Sequence, residues 1–257
     1  MATVLRLNEL TREEVLDIAP RATVVLPVAS TEQHGPHLPL LTDCALGEAI
    51  ALRSVEHASQ SVPVLLAPVL PFGNSQHHLF ACALSLRSTT LLAVLNDLAD
   101  SLVASGFKRL FVLNSHGGND ECVKLLAKDV VLRHDVTIAA CSYWQVGEAS
   151  AKEVSAVELG AYPGHSGGFE TAIMMAVAPS LVRQSRLPRE VPYPPAVWSR
   201  KVAPGLVIQK AGEWERIDGY SDAPTKATPQ LGTRLLDAIS LAVGEAIVAF
   251  HRIADYR

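Results

Sequence analysis

The sequence predicts a single-domain α/β fold in which a mostly parallel β-sheet is sandwiched between α-helices. The chain has 257 residues, of which 49% are hydrophobic and only 5% aromatic. Aliphatic runs alternate along the chain with longer segments of helical periodicity, and this alternation is typical of parallel sheets covered on both faces. A chain of this length can bury one large core, so we expect one domain over residues 1–257.

The predicted strands are short runs of Val, Leu, Ile and Ala without the polar alternation of a half-exposed sheet. They cover residues 22–30, 62–71, 108–115 and 136–144. The predicted helices are longer, and that of residues 88–106 begins at a Ser/Thr cap and ends at a glycine. They cover residues 43–58, 88–106, 120–134, 168–178 and 229–254. A proline-rich stretch at residues 187–198 interrupts the pattern.

Charge and hydropathy exclude several classes of function. The net charge is −4, without a run of basic residues, so we expect no nucleic-acid partner. The longest apolar runs are shorter than the roughly 20 residues of a membrane span, so we expect no membrane association. The first residues lack the basic-then-apolar order of a signal peptide, and we expect a cytoplasmic location.

Polar clusters follow the first and third predicted strands, whose carboxyl ends meet at the same edge of a parallel sheet. In the first cluster, Glu32 and His34 are two residues apart and point the same way in an extended segment. Carboxylate and imidazole together suit Zn, Mn, Fe or Co. An ordinary solvated loop is the alternative for this pair, and a helix N-cap is the alternative for Asp43. We expect His37 to lie behind the ligands or at the surface.

The second cluster is the turn "NSHGGND", which contains His116, Gly117 and Gly118. The two glycines permit a close approach of the backbone or a positive φ. In the alternative interpretation His116 is a loop residue and Asn119 a helix cap. The glycine spacing fits neither common phosphate-binding motif.

Two further segments carry titratable side chains. Glu170 begins an almost wholly apolar helix, where an ionised carboxylate costs several kcal/mol unless it is paired or bound to a metal. Its alternatives are a favourable interaction with the helix dipole or an ion pair. His165 precedes it in a glycine-rich loop and could reach the same site. His77 and His78 follow a Gly-Asn turn and are either loop residues or a wall of the substrate pocket.

Together these clusters supply three carboxylates and two histidines, with further histidines nearby. A two-metal hydrolytic site requires such a set, because acidic ligands offset the charge of the metals and one carboxylate bridges them.

These residues resemble the creatininase family of metal-dependent amidohydrolases, whose blocks occur in the same order between residues 26 and 228. The matching blocks are "LPVASTEQHGPHLPLLTD", "GNSQHH", "LNSHGGN", "GHSGGFET" and "GYSDAPTKAT". The resemblance implies a single α/β domain and a homo-oligomer, often a hexamer. It also implies two divalent ions per subunit (Zn, Mn or Fe) and a small-molecule amide substrate.

Carried over by position, the resemblance implies the metal ligands Glu32, His34, Asp43 and His116, with Asp43 bridging. Creatinine-hydrolysing members have a glutamate at the position of Gly118, so Glu170 is expected as the fifth ligand here. The implied catalytic residues are His165, which would handle protons, and Glu170. We expect substrate contacts from His78, Gly117, Gly118, Tyr143 and Trp144.

The substrate is less defined than the metal site. Where the creatinine enzyme carries a tryptophan, this chain has Ala161, which argues against creatinine itself. We expect hydrolysis of a non-peptide C–N bond in an amide, cyclic amide or formamide. The alternatives are peptide cleavage of the mycofactocin type and a catalytically silent, metal-stabilised binding protein. A serine hydrolase using Ser166 of "GHSGG" is a further alternative, although no clear strand precedes that motif.

Overall fold

The computed structural model describes residues 5–154, 156–200, 202–203 and 206–254, and these form one parallel sheet between two layers of helices. The limits of the predicted domain, residues 1 and 257, lie outside the described residues. The sheet has the strand order β1-β3-β2-β4-β5, and every neighbouring pair is parallel. Its strands are β1 (Leu5–Arg6), β2 (Thr23–Val28), β3 (Val64–Leu66), β4 (Arg109–Asn114) and β5 (Thr137–Ser142).

The helices surround this sheet and include all five that the periodicity predicted, each within three residues of the predicted ends. They are α1 (Arg12–Ile18), α2 (Thr42–Ala58), α3 (Ser88–Ala104), α4 (Asp120–Val131), α5 (Tyr143–Val146), α6 (Glu148–Glu153), α7 (Gly168–Val177), α8 (Glu213–Arg216) and α9 (Pro229–Ile253). The α/β class and the parallel sheet between helices are therefore confirmed.

All four predicted strands were too long; those predicted for residues 22–30 and 108–115 exceed β2 and β4 by one or two residues at each end. The strand predicted for residues 62–71 is regular only over β3, with one further bridge from Leu70 to Val28. Pro63 and Pro68 flank β3 and lack the N–H that a longer ladder would require. The strand predicted for residues 136–144 ends at Ser142, and the next residue begins α5.

Side chains alternate between two cores across the central strands. Val25, Phe111 and Leu113 pack against one layer, formed by α2, α7 and α9. Val24 and Val112 point to the other face and pack against residues of α1, α3 and α4. Both faces of the sheet are thus covered, which explains why its strands are apolar throughout.

The register of the central strands determines where the polar loops meet. Val28 at the end of β2 pairs with Asn114 at the end of β4, and Ser115 N donates to the Val28 carbonyl at 2.9 Å. The segments that follow these strands therefore start side by side at the carboxyl edge. No helix in the described part of the chain combines the length and apolarity that crossing a bilayer requires.

One helix contact leaves no room for a side chain. A Cβ on Gly232 of α9 would lie 1.8 Å from the carbonyl oxygen of Ala172 in α7, so these helices touch backbone to backbone. We expect Gly232→Ala to lower the free energy of unfolding by at least ~1–3 kcal/mol, the usual cost of overpacking. The loss of stability is expected even though alanine favours the helical conformation by about 1 kcal/mol over glycine.

Thermal or urea unfolding checks this expectation. Gly117→Ala is the matched control, because a Cβ there meets nothing within 4 Å. Unchanged stability of Gly232→Ala would contradict the close contact of α7 with α9.

Candidate metal centre

Glu32 and His34 lie in the loop after β2, and both side chains are fully buried. The backbone N–H of Glu32 donates to the Leu40 carbonyl at 3.1 Å, so the loop folds back on itself. His34 Nδ1 donates to the Glu32 carbonyl at 3.1 Å, which leaves Nε2 directed inward as a possible ligand atom. The solvated-loop alternative for this pair is therefore wrong.

Asp43 lies in the first turn of α2 and is 2% exposed. Its two carboxylate oxygens face different histidines: Oδ1 is 3.4 Å from His34 Nε2, and Oδ2 is 3.1 Å from His116 Nδ1. The N-cap of α2 is Leu41, without a side-chain hydrogen bond, so the interpretation of Asp43 as a cap is wrong. Asp43 is the carboxylate that stands between the two histidines.

His116 enters the centre from the turn after β4 and is buried. Its Nε2 donates to the Asn74 carbonyl at 3.0 Å, which leaves Nδ1 facing Glu32 Oε1 at 3.3 Å. Asn119 forms no side-chain cap; its amide instead donates to the Ala29 carbonyl at 3.1 Å. That contact ties the turn after β4 to the loop after β2.

Glu170 lies in the first turn of α7 and is 5% exposed. Its Oε2 accepts a hydrogen bond from the backbone N–H of Ser166 and lies 3.8 Å from His34 Nε2. A glutamate at position 118 could not replace Glu170 in this backbone, because a Cβ on Gly118 would lie 2.1 Å from the Asn74 carbonyl oxygen. Of these two positions, only 170 offers a carboxylate to the centre.

Three of the possible metal-binding atoms are buried and lack hydrogen-bond partners: Glu32 Oε1, His34 Nε2 and Asp43 Oδ2. Within the described ranges, no lysine or arginine forms an ion pair with the three carboxylates; their charged partners are histidines. Buried polar atoms without partners are costly, and a divalent cation would satisfy this oxygen and nitrogen set. The residues therefore fit a bound metal.

The pKa shifts describe the same excess of negative charge. Burial alone would lower the pKa of His34, but the carboxylates of Asp43 and Glu170 raise it to about 10. Burial raises the pKa of Glu170 to about 7, against the opposing effect of His34. Burial also favours protonated Glu32, yet the imidazole of His116 holds its pKa well below the ordinary value. These carboxylates therefore stabilise positive charge placed between them, either on protonated histidines or on a bound cation.

Donor atoms within 4.8 Å of one another form three overlapping groups. One group is His34, Asp43 and Glu170; a second is Glu32, His34 and His165; a third is Glu32, His77 and His116. All five predicted ligands thus converge, from the loop after β2, the first turns of α2 and α7, and the turn after β4. Their role as ligands stays a prediction.

His78 and His165 are held beside the ligands by Gln33. The side-chain amide of Gln33 donates to His78 Nδ1 at 2.8 Å, while the backbone carbonyl of Gln33 accepts from His165 Nε2 at 3.0 Å. The rings of the two histidines stack with centroids 4.4 Å apart. Burial lowers the pKa of His78 to about 3, so this side chain is neutral. His37 is fully buried and bonds to Thr171 Oγ1, so its predicted surface alternative is wrong.

A cavity of about 390 Å³ opens onto this centre. All five residues predicted to contact substrate line it: His78, Gly117, Gly118, Tyr143 and Trp144. The sequence did not indicate Trp198 and Trp214, which also line the cavity and stack with centroids 4.4 Å apart. Trp214 also meets the His165 ring edge-on at 5.0 Å. Trp198 ends the proline-rich stretch, whereas nothing in the sequence around Trp214 points to the cavity.

Ser166 is not placed as a nucleophile. Its side chain is fully buried, and its hydroxyl donates to the backbone carbonyl of His34. The residues before it, 160–164, form bends and irregular structure instead of a strand. The hydroxyl is thus engaged in holding the loop of His34, and the serine-hydrolase alternative is wrong.

Known proteins place the chain in a family. A sequence model described as creatinine amidohydrolase, the creatininase family, matches residues 8–247. The chain belongs to the creatininase family. Creatininase-family members are hydrolases, so the prediction that the chain is an enzyme is confirmed at the level of the family.

Two curated relatives carry different names. The mycofactocin precursor peptide peptidase of Mycobacterium ulcerans is 33% identical over 64% of this chain and 62% of its own length. The creatinine amidohydrolase of Pseudomonas putida is 29% identical over 68% of this chain and 70% of its own length. The matched part of the chain therefore spans less than two thirds of the length of the Mycobacterium ulcerans protein.

Solved creatininase structures share the fold. A creatinine amidohydrolase structure aligns over 100% of both chains at 26% identity, with a TM-score of 0.77. A structure named creatininase Mn aligns over 95% of this chain and 98% of its own, at 26% identity and a TM-score of 0.76. The structure of a mutant creatininase of Zn-Zn type aligns over 96% of this chain and 98% of its own, at 26% identity and a TM-score of 0.76.

The loop that carries His165 is fastened by Asp222, in the "GYSDAPTKAT" block. The Asp222 carboxylate accepts from the backbone N–H of Gly168 at 3.0 Å and from Ser221 Oγ at 2.6 Å. Ser221 Oγ in turn accepts from the backbone N–H of His165 at 2.9 Å. A Cβ on Gly167 would lie 2.1 Å from the Asp222 carboxylate, which accounts for that glycine.

We expect Asp222→Ala to increase amide hydrogen exchange in residues 160–168 by about 10-fold or more, because hydrogen bonds to a charged acceptor are each worth ~1.5–3 kcal/mol. Exchange measured by mass spectrometry checks this, with the exposed Asp17→Ala of α1 as control. Equal protection of this loop in both variants would contradict the role of Asp222.

Proposed function

We propose that the protein is a metal-dependent hydrolase that cleaves the C–N bond of an amide, cyclic amide or formamide with a metal-activated water. The observation that carries this proposal is the convergence of buried, unpartnered ligand atoms from Glu32, His34 and Asp43 at the carboxyl edge of the sheet. Membership of a family of hydrolases supports it.

We propose two divalent cations per subunit. His34, Asp43 Oδ1 and Glu170 would hold one, while Glu32, His116 and Asp43 Oδ2 would hold the other, so that Asp43 bridges. Zn, Mn and Fe all accept such mixed ligands. When bound, such ions lower the pKa of water from about 16 to about 7 and polarise a carbonyl oxygen.

His165 moves the proton in this proposal. Its Nε2 is fixed by the Gln33 carbonyl, so its free Nδ1 faces the centre, 3.7 Å from Glu32 Oε1. Burial, and then the imidazole of His34, hold the pKa of His165 well below the ordinary value. His165 therefore starts neutral instead of protonated: Nδ1 first accepts the proton of the water and then gives it to the leaving nitrogen.

The other residues of the cavity orient the substrate. Gly117 and Gly118 leave the backbone accessible beside His116, while Tyr143 and Trp144 form an aromatic wall at the end of β5. Glu170 acts as a ligand, and its carboxylate is held in place by the backbone N–H of Ser166. His78, which is neutral, presents Nε2 toward Glu32.

Peptide cleavage is the second candidate function. Its support is the name of the Mycobacterium ulcerans relative, a peptide peptidase, and the open cavity beside the centre. A catalytically silent binding protein is disfavoured because each predicted ligand position holds a residue capable of binding metal. We further propose, from the family resemblance alone, a cytoplasmic homo-oligomer that could be a hexamer.

A substrate screen tests the function. Mn-, Zn- and Fe-loaded protein would be incubated with cyclic amides, ureides, formamides and short peptides, and products would be identified by mass spectrometry. We expect metal-dependent hydrolysis that a chelator abolishes. Hydrolysis of peptides alone would favour the second candidate, and hydrolysis of none would favour the binding protein.

The ligand set can be tested without a substrate. We expect Glu32→Ala/His116→Ala to lose stoichiometric metal, because it removes both main donors of one proposed ion and leaves Asp43 with a single neighbouring histidine. Metal content after reconstitution with Mn or Zn is measured by mass spectrometry. Glu56→Ala/His134→Ala removes the same residue types away from the centre and should keep the wild-type content. Full metal retention by the first variant would end the proposal.

His165→Asn should bind metal normally but lose turnover by ~10²–10⁴-fold, the usual effect of removing a general acid–base group. The assay compares kcat and metal content in parallel on the substrate found in the screen. His134→Asn, at a partly exposed site beside Asp100, is the control. Wild-type turnover in His165→Asn would remove this residue from the mechanism.

A further inference from the structure

A second cavity, of about 430 Å³, adjoins the one at the metal centre. The two cavities share a wall formed by Pro163, Gly164, His165, Trp198 and Trp214. His165, the residue that we assign to proton transfer, therefore borders both of them. A substrate whose amide lies beside His165 therefore has its neighbouring group next to the second cavity.

The chemistry of the second cavity differs from that of the first. Beyond the shared wall, most of its lining residues are apolar or aromatic, including Val191, Tyr193, Pro195, Ala196 and Ile217, and no Asp, Glu, Lys or Arg is among its described lining residues. Its polar side chains are engaged within the wall. Tyr193 donates its hydroxyl to the Tyr220 carbonyl, and Ser199 donates to the Ala196 carbonyl. The cavity thus offers dispersion and aromatic contacts to an uncharged group.

Specific contacts hold this wall in place although the segment is largely irregular. The Glu213 carboxylate, 4% exposed, accepts from the backbone N–H of Val197 at 3.1 Å and from Arg216 Nη2 at 2.8 Å. Arg216 also donates to the Pro194 carbonyl at 3.2 Å. These bonds attach the proline-rich segment to α8 and fix Trp198 against Trp214. The second cavity is therefore lined by side chains that the fold holds in place.

We infer that the second cavity binds an apolar group of the substrate, aromatic or branched aliphatic, that is attached next to the scissile amide. The inference rests on the proposed function, which places that amide beside His165. A compact amide seated against the carboxylates would fill only the first cavity. Pockets of about 300–1,000 Å³ with mainly apolar walls are typical of sites for organic ligands. The preferred substrates are thus amides with a bulky hydrophobic substituent, including peptides with such a side chain.

Binding of two matched probes tests this inference. N-acetylphenylalaninamide and N-acetylglycinamide differ only by a benzyl group. We expect the former to bind ~10- to 100-fold more tightly, as burial of a Phe side chain predicts. Titration would be followed by calorimetry and by tryptophan fluorescence, with both metal-free and Mn-loaded protein. Because the cavity lies beside the ligand set, the preference should persist without metal.

Variants at Val191 test whether the preference for the phenylalanine probe arises in the second cavity. Val191 is 38% exposed and lines the second cavity, so a larger side chain there can fill the cavity without entering the core. Val191→Trp should reduce the preference for the phenylalanine probe about 10-fold while metal content stays at the wild-type value. Val191→Ala is the matched control and should keep the preference.

The outcomes separate this inference from the proposed function. Equal affinities of the two probes in the wild type, no measurable binding of the phenylalanine probe, or an unchanged preference in Val191→Trp would overturn the inference. Failure of the proposed function would instead appear as absent metal binding or absent hydrolysis, with the probe preference intact.

Discussion

The structure depends on three buried carboxylates that face one another without a lysine or arginine to neutralise them in the described residues. Glu32, Asp43 and Glu170 are each at most 5% exposed, and histidines are their charged partners. An arrangement of this kind is unfavourable unless positive charge occupies its centre. The need for positive charge among the carboxylates accounts for the arrangement of the histidines around them. It also accounts for the histidine tautomers and for the packing of the surrounding loops.

Backbone groups orient the side chains around that charge. Carbonyls of Glu32 and Asn74 accept from the outer nitrogens of His34 and His116, so the inner nitrogen of each ring points at the carboxylates. Such partners fix ring orientation and raise ligand basicity. Because the accepting carbonyls belong to loops anchored at adjacent strand ends, the sheet register itself sets the position of the donors. The fold thus contributes to the chemistry through main-chain geometry.

The sequence could predict what depends on local pattern. Aliphatic runs identified the strands, and the blocks around Glu32 and His116 pointed to a common edge, because parallel strands end there. Strand ends were misjudged where proline removes donors, as after Leu66, and at Tyr143, where a helix begins directly. Trp214 and the loop anchor Asp222 could not be predicted, since their roles depend on contacts with residues about 50 or more positions away.

The site therefore has two parts that are built differently. The candidate metal centre rests on strand ends and first turns of helices, where a shift of one residue would redirect a proposed ligand. The wall of Trp198 and Trp214 belongs to a segment with few regular elements, fastened mainly through Glu213. Such a segment can change its side chains without disturbing the sheet or the ligands. The side chains that line the second cavity can thus vary while the carboxylates and histidines of the candidate centre stay in place.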